Sequence, residues 1–586
     1  LDDQGVVGGG VADDYVDYVG LTADYSPVFE EFDDAPNSFQ LPLASISRID
    51  CVSEERGLIA IWTESLQSFM IDVSSNETRR TPWNIIDAIR GYSFCEWDQL
   101  FAWTYKGVTP ENWTPLIDSA EPSEVMVCAD GGSDVAETVP LNGWDVYDHR
   151  TEFVRLGLDD NTPTFRKSKK WTVSSVNDKY ELCETYPALL GVPVGMTSHK
   201  ELMRAASYRS KNRMIALSWR KGALLSSSSS SSSEEVAKEM MTEQEADVGL
   251  LRCSQPGVGL TRQTSKDDER LMDLVSSTSL TGTSIIFDAR PRLSAEANAV
   301  RGGGYEILDN YPMCTIEFCN IQNIHSVRES FVRLHGMFSK VQSNNHHQDM
   351  AVAHVELGLR SEVNRTTWLT HLVTILTSAK RIASEIHRGT TCVVHCSDGW
   401  DRTSQLTSLP MLFLDPYYRT ITGFQVLLEK EWLSFGHKFA VRSGCDMSSA
   451  KAREDYLDKQ RSPIFVQFLD CVWQIKKQFS TFFEFNDNFL IACLRHVYSG
   501  RYGTFLFDSE RERAMHQCRT KTVSLWTEMN VHRAPFINDE YDHLNSEKRE
   551  TTVKMYSEMQ VEIPLLSLWP AYEELWRQGV VGETTS

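Results

Sequence analysis

One bend constrains this chain more than any other feature. Residues 391–394, Thr-Cys-Val-Val, form an apolar, β-branched run, and residues 406–414 form an apolar, mostly helix-forming run. Between them lies His395-Cys396-Ser397-Asp398-Gly399-Trp400-Asp401-Arg402-Thr403-Ser404-Gln405. The two runs predict a buried strand ending at His395 and a helix starting near Thr403. In the bend of such a unit, successive backbone N–H groups can curl into a nest, and the helix N-terminus adds partial positive charge. That is a cradle for an anion, and Arg402 can close it with a planar fork on two phosphate oxygens. Cys396 and Arg402 form the only Cys-(five residues)-Arg pair in the chain.

The same positive field favours a thiolate over a thiol. A cysteine beneath a bound phosphoryl group can attack phosphorus and form a phosphocysteine, which water then hydrolyses. The leaving alkoxide needs a proton, and Asp398 and Asp401 are the nearby carboxyls able to give one. The plainer alternative is a buried thiol with a surface arginine. Against it, a structural loop has little use for an arginine at the mouth of a helix.

Composition limits the partners. The 586 residues exceed one ordinary core, and 41% apolar content with 15 tryptophans supports a globular protein of two or more domains. The net charge of −23 argues against non-specific nucleic-acid binding, so an anionic ligand needs locally focused positive charge. Ten acidic residues and no Lys or Arg fall within 1–37, which reads as an acidic, disordered tail. The 13 cysteines include no C-x-x-C pair, so no zinc site is supported and reduced cysteines of a cytosolic protein are expected. No run approaches 18 apolar residues and no secretory signal is visible, while the start at Leu rather than Met suggests a fragment.

Along the chain, residues 38–110 read as a small β domain. Leu58–Trp62 and Phe69–Val73 are expected strands, and Trp83, Ile85, Ile86 and Ile89 mark a short terminal helix. Residues 111–140 are polar and acidic, a linker. From 141 to about 580, strands (Ala188–Val192, Met214–Trp219, Ile285–Phe287) alternate with helices (Lys200–Ala206, Thr366–Ile386), as in an α/β sheet. Residues 226–247, eight serines followed by a Glu-rich stretch, read as a mobile surface insertion.

The stretch His395–Thr403 resembles the signature of the myotubularin family, phosphoinositide 3-phosphatases of the cysteine-phosphatase superfamily. Other family segments are matched in order: Tyr208–Arg213, Cys253–Pro256, Phe287–Pro291, Gly302–Glu306, Glu431–Phe439, Ser462–Phe465 and Gly503–Phe507. The resemblance covers about 140–530, with a fainter echo in 38–110. It implies an α/β phosphatase domain with a central twisted mixed sheet, preceded by a small PH-GRAM-like β-barrel. It makes Cys396 the nucleophile, Arg402 the phosphate holder with the amides of Ser397, Asp398, Gly399 and Trp400, and Asp401 the general acid. Asp398 would contact the inositol ring. Asn298 and Asn323 match the family's headgroup asparagines, and capping or turn roles are their alternative. Lys438 and Arg442 fall at its headgroup cations, four residues apart and so on one helical face. Relatives often carry Arg at 438, where the point charge of Lys leaves the choice between mono- and bisphosphorylated substrates open.

The implied activity is hydrolysis of the 3-phosphate of phosphatidylinositol 3-phosphate and of the 3,5-bisphosphate. The implied setting is cytoplasmic, peripheral to endosomal or other intracellular membranes, with no metal or organic cofactor and with homo- or hetero-oligomers among family members. Residues 530–586 match poorly, holding no cysteine for a FYVE-type zinc domain and no sustained heptads for a coiled coil. Two other functions fit the same loop. One is a protein-tyrosine phosphatase, which would not need Lys438 and Arg442. The other is a non-catalytic lipid-binding adaptor.

Overall fold

The computed structural model describes residues 142–572 apart from 160, 163–166, 223–246, 345–360 and 445–459, together with short segments nearer the N-terminus. Among those segments, Ile46–Ser53, Leu58–Thr63 and Ser68–Asp72 pair as an antiparallel meander, with Ile59 opposite Ile71. Ile86 is helical and buried as expected, whereas Trp83, three residues earlier and so on nearly the same face, is helical but exposed, which departs from the expected apolar stripe. Closure of these strands into a barrel falls outside the described residues. Two-residue pairings also occur, joining Val19–Gly20 in the segment read as tail to Phe39–Gln40 in the 38–110 segment, and Val125–Met126 to Thr138–Val139 within or beside the segment read as linker.

The large domain is built on a seven-stranded mixed sheet. Its strands are β1 (Trp171–Ser174), β2 (Leu190–Pro193), β3 (Ala216–Arg220), β4 (Gly249–Ser254), β5 (Ser284–Asp288), β6 (Cys314–Phe318) and β7 (Thr391–Cys396). Their order across the sheet is β6-β5-β7-β4-β3-β2-β1. Strands β6, β5, β7 and β4 run parallel, while β4-β3, β3-β2 and β2-β1 are antiparallel. Buried on both faces, β7 is the continuous apolar run expected of a parallel strand. The carboxyl ends of the parallel strands share one edge of the sheet, where open α/β sheets place their ligands.

Helices cover the sheet: α1 (Arg292–Ala299), α2 (Ile324–Asn344), α3 (Trp368–His387), α4 (Arg402–Leu414), α5 (Phe439–Ser443) and α6 (Ile464–Gln478). In α3, Leu369, Leu372, Ile375, Leu376, Ala379 and Ile382 recur at helical spacing and are buried. Every residue of α4 from Thr403 to Leu414 is buried, so this helix is a fixed post under the bend. Truncating Leu409 to Ala would cost about 2–5 kcal/mol through the cavity it leaves.

One apolar core extends from Val146 to Tyr572, so residues beyond 530 belong to the domain despite their weak resemblance. The insertion read as 226–247 stops short of its last residue. Asp247 is buried, accepts from Arg220 Nη1 (3.2 Å) and receives Trp171 Nε1 on its carbonyl (2.7 Å). The serine run itself lies outside the described residues.

Candidate active site

The bend follows β7 and ends at the first residue of α4, close to the boundaries read from the sequence. Its backbone is turned by buried donors on the outside. The Ser397 carbonyl accepts from Gln255 N (3.1 Å). The Gly399 carbonyl accepts from Arg213 Nη2 and Arg252 Nη2, both at 2.8 Å. The Trp400 carbonyl accepts from His437 Nδ1 (3.0 Å) and Ser404 Oγ (3.1 Å). Across a trans peptide, an outward carbonyl sends the next N–H inward. The amides of Asp398, Trp400 and Asp401 therefore face into the cup, and among the described residues none has an acceptor.

Gly399 adopts φ +79°, and a Cβ there would stand 2.4 Å from the Cys253 carbonyl oxygen, so only glycine fits. Its own N–H reaches Cys396 Sγ at 3.2 Å, and Thr403 Oγ1 donates to the same sulfur at 3.2 Å. Two donors are thus aimed at one buried sulfur. Arg402 is half-buried and tied by Nη1 to the Ile321 carbonyl (3.1 Å). Among the described residues it has no carboxylate partner.

Asp401 occupies the N-cap position of α4, yet its side chain makes no cap bond. It forgoes a contact usually worth about 1 kcal/mol. Instead its carboxylate receives Arg442 Nη2 at 2.8 Å and Nε at 3.2 Å, and lies 3.2 Å from His437 Nδ1. Burial alone would raise this carboxyl, but the Arg442 charge and the His437 hydrogen bond outweigh it and hold it well below the ordinary carboxylate range. As the structure stands, the expected general acid is ionised.

The other expected residues divide. Asn298 Nδ2 donates to Ser397 Oγ (3.2 Å) and to Gln255 Oε1 (3.3 Å), joining α1 to the loop. Lys438 Nζ lies 4.8 Å from the centre of the Trp400 ring, a cation–π contact at the cup's edge. Asp398 Oδ1 accepts from Ser210 Oγ (3.1 Å). Asn323 is exposed, and its Oδ1 accepts from the amides of His325 (3.0 Å) and Ser326 (3.1 Å) at the start of α2. That is the capping role, and among the described residues Asn323 makes no hydrogen bond to the loop. Lys438 and Arg442 do not share a helix face as expected, because Lys438 is only the N-cap of α5, yet both reach the loop.

Several residues that shape the site were not singled out in the sequence. Arg213 and Arg252 anchor the loop, and Arg252 is itself held by Glu431 Oε2 (2.9 Å). His437 lies between Trp432 and Phe439, with ring centroids 4.8 Å away on each side. Because the Trp400 carbonyl can only accept, His437 carries its proton on Nδ1. Just before the nucleophile, buried His395 donates from Nδ1 to the Cys396 carbonyl (3.1 Å), and its Nε2 meets Glu306 at 3.1 Å. Glu306 also receives Arg209 Nη1 at 2.5 Å. Burial opposes charge on His395, yet Glu306 prevails and raises its affinity for a proton. Each of these residues lies in or next to a segment already quoted as matching the family, and that was the available signal.

Comparison with known proteins agrees with this geometry. Residues 132–514 match the family described as the myotubularin-like phosphatase domain. Myotubularin of Xenopus laevis is 43% identical over 408 residues, covering 69% of this chain and 60% of the relative. Myotubularin of Rattus norvegicus is 41% identical over 447 residues, covering 76% and 65%. The phosphatidylinositol-3,5-bisphosphate 3-phosphatase MTMR2 of Bos taurus is 40% identical over 451 residues, covering 75% and 60%. The chain thus spans about 60–65% of the length of these relatives. On the family match and these identities, the chain belongs to the myotubularin-like phosphatase family.

Proposed function

We propose that this chain hydrolyses the 3-phosphate of phosphatidylinositol 3-phosphate and phosphatidylinositol 3,5-bisphosphate through a phosphocysteine. The observation that carries this reading is the cup itself: a sulfur that already accepts two hydrogen bonds, beneath inward amides, with Arg402, Lys438 and Arg442 close by. The activity named for the bovine relative supports the choice of lipid.

In the first step the Cys396 thiolate attacks phosphorus, held by Arg402 and the loop amides. The phosphorus–O3 bond breaks, and Asp401 protonates the inositol oxygen. Water then attacks the phosphocysteine, gives its proton to Asp401, and the S–P bond breaks to return thiolate and phosphate. The amides of the cup stabilise the charge that builds on the phosphoryl oxygens in both steps.

Asp401 can act as an acid only after Arg442 leaves it. The second anionic group of the substrate, the diester phosphate or a 5-phosphate, is the natural competitor for that guanidinium. Once Arg442 turns to the substrate, Asp401 remains in a buried site without its cation, where burial favours the protonated acid. Substrate charge and acid strength are coupled in this way. Residues 38–110 are read as a PH-GRAM-like domain, and the enzyme as a cytoplasmic protein peripheral to endosomal or other intracellular membranes, assembling with itself or with family members.

The test is phosphate release from short-chain phosphatidylinositol 3-phosphate beside its 4- and 5-phosphate isomers, a phosphotyrosine peptide and Cys396→Ser. Release from the 3-phosphate alone, lost in the variant, is expected. Equal release from the peptide would point to a protein-tyrosine phosphatase. Release from nothing by well-folded protein would leave a lipid-binding adaptor.

A further inference from the structure

Just after β4, Gln255 sets a carboxamide beside the signature loop, and its neighbours decide which way that amide points. Its backbone N–H holds the Ser397 carbonyl (3.1 Å), a task open to any residue but proline. Its side chain does something else. Gln255 Oε1 accepts from Arg290 Nη1 (2.5 Å), from Gly304 N (3.3 Å) and from Asn298 Nδ2 (3.3 Å). A guanidinium and a backbone N–H can only donate, so the atom they share is the oxygen and not the nitrogen. Arg290 is itself buried and fixed. Its Nε and Nη2 lie on the Asp288 carboxylate (2.9 and 2.7 Å), and Nη2 also reaches the Gly304 carbonyl (2.7 Å).

This polarity passes one step further. Asn298 must turn its nitrogen to Gln255 Oε1, and the second proton of that nitrogen goes to Ser397 Oγ (3.2 Å). Both amide protons are then engaged. Asn298 is half-buried at the wall of the cup, and its Oδ1 has no hydrogen-bond partner among the described residues. Toward a ligand, Asn298 can therefore accept but not donate. On an inositol ring the 3-phosphate is flanked by positions 2 and 4. A hydroxyl at either can donate to that oxygen, whereas an ionised phosphate can only accept and would be repelled by it.

We propose that Gln255 is a positioning residue that sets substrate choice. With Arg290 behind it, Gln255 locks Asn298 as an acceptor, so the cup takes an inositol that carries a free hydroxyl beside the 3-phosphate and rejects one that does not. This rests on the phosphoinositide reading above and adds the residues that choose among 3-phosphorylated lipids.

The test measures kcat/KM on three short-chain lipids: phosphatidylinositol 3-phosphate, its 2-deoxy analogue and phosphatidylinositol 3,4-bisphosphate. For the wild type a fall of about tenfold or more is expected on one of the two altered lipids, and which one identifies the hydroxyl. Gln255→Met keeps the backbone bond to Ser397 but removes the acceptor, so the Asn298 amide is free to turn. The ratio should then shrink to about threefold or less, the amide now being able to donate. Gln255→Glu keeps an oxygen for Arg290, Gly304 and Asn298, and should keep the ratio. A wild type that does not discriminate overturns the proposal. So does Gln255→Met with the wild-type ratio, even if all three rates fall together, because Gln255 would then only brace the loop. So does Gln255→Glu that loses the ratio, and this variant decides alone if Gln255→Met does not fold. If the wild type hydrolyses none of the lipids, the phosphatase reading fails instead. The same ratios are then read from binding of inositol 1,3-bisphosphate, its 2-deoxy form and inositol 1,3,4-trisphosphate, with the same outcomes for and against.

Discussion

Asp401, in the signature loop, and Asp470, on α6 beneath α3, are both buried aspartates, and the two regions treat them in opposite ways. Asp470 Oδ2 accepts from Trp368 Nε1 and Tyr572 OH, each at 2.8 Å, and Oδ1 accepts from Gln474 Nε2 at 3.0 Å. Burial dominates there and pushes the carboxyl up to about 6, although the three neutral donors oppose it. Asp401 is buried as well, but it faces a guanidinium and is pushed down. At Asp470 neutral donors only soften the effect of burial, and at Asp401 a full charge reverses it. The loop therefore holds its acid in a state set by one removable cation, while the helical layer holds its own in a state set by packing.

The most forceful break in this contrast is Asp401→Asn, which keeps the shape and removes the proton. Hydrolysis of the inositol lipid is expected to fall roughly 10²–10⁴-fold, as for loss of a general acid. An aryl phosphate, whose leaving group needs no proton, should lose far less, and parallel rate measurements on the two substrates check this. Next is Arg442→Met, which makes Asp401 resemble Asp470. Breaking a buried pair costs about 3–5 kcal/mol in urea unfolding at neutral pH. The loss should shrink toward acid pH as the stranded carboxylate takes up a proton.

Asp470→Asn sharpens the other side. A carboxyl raised from 3.8 to about 6 on folding stabilises the protein fully below its unfolded value and loses that contribution as pH rises through 6. The shift corresponds to roughly 3 kcal/mol. Melting curves from pH 4 to pH 7 should show a downward slope in the wild type that flattens in the variant. The smallest effect is expected of His437→Phe, which removes one shared donor from Asp401 and Trp400. About 1 kcal/mol is lost. The alkaline limb of the rate profile, where Asp401 loses its proton, should shift upward on the inositol lipid, with aryl phosphate turnover little changed.

The local plan of the site was legible because it is local. A β-branched run, a polar bend and an apolar run placed β7, the loop and α4 within a residue or so of where they lie. Alternating strands and helices gave the α/β class, but nothing in a single run of residues says that β4-β3-β2-β1 would turn antiparallel. The clasp on the loop was not legible from pattern. Arg213 and Arg252 are 186 and 147 residues from the carbonyl they hold, and each reads in isolation as one more charge near a strand. The Asp401–Arg442 pair is hidden in the same way across 41 residues. Asn323 matched by position, and its oxygen is engaged by α2, an assignment that only the backbone geometry makes visible.

The two arginines on the Gly399 carbonyl carry a consequence for how a reaction cycle would end. They fix the inward amides before any ligand arrives, so the ordering is completed during folding and not repeated at each turnover. A receptacle finished in advance recognises tetrahedral oxyanions by shape and charge, and free orthophosphate has both. The stiffness that favours the first displacement therefore also retains the product, and the departure of phosphate becomes a natural brake on the cycle.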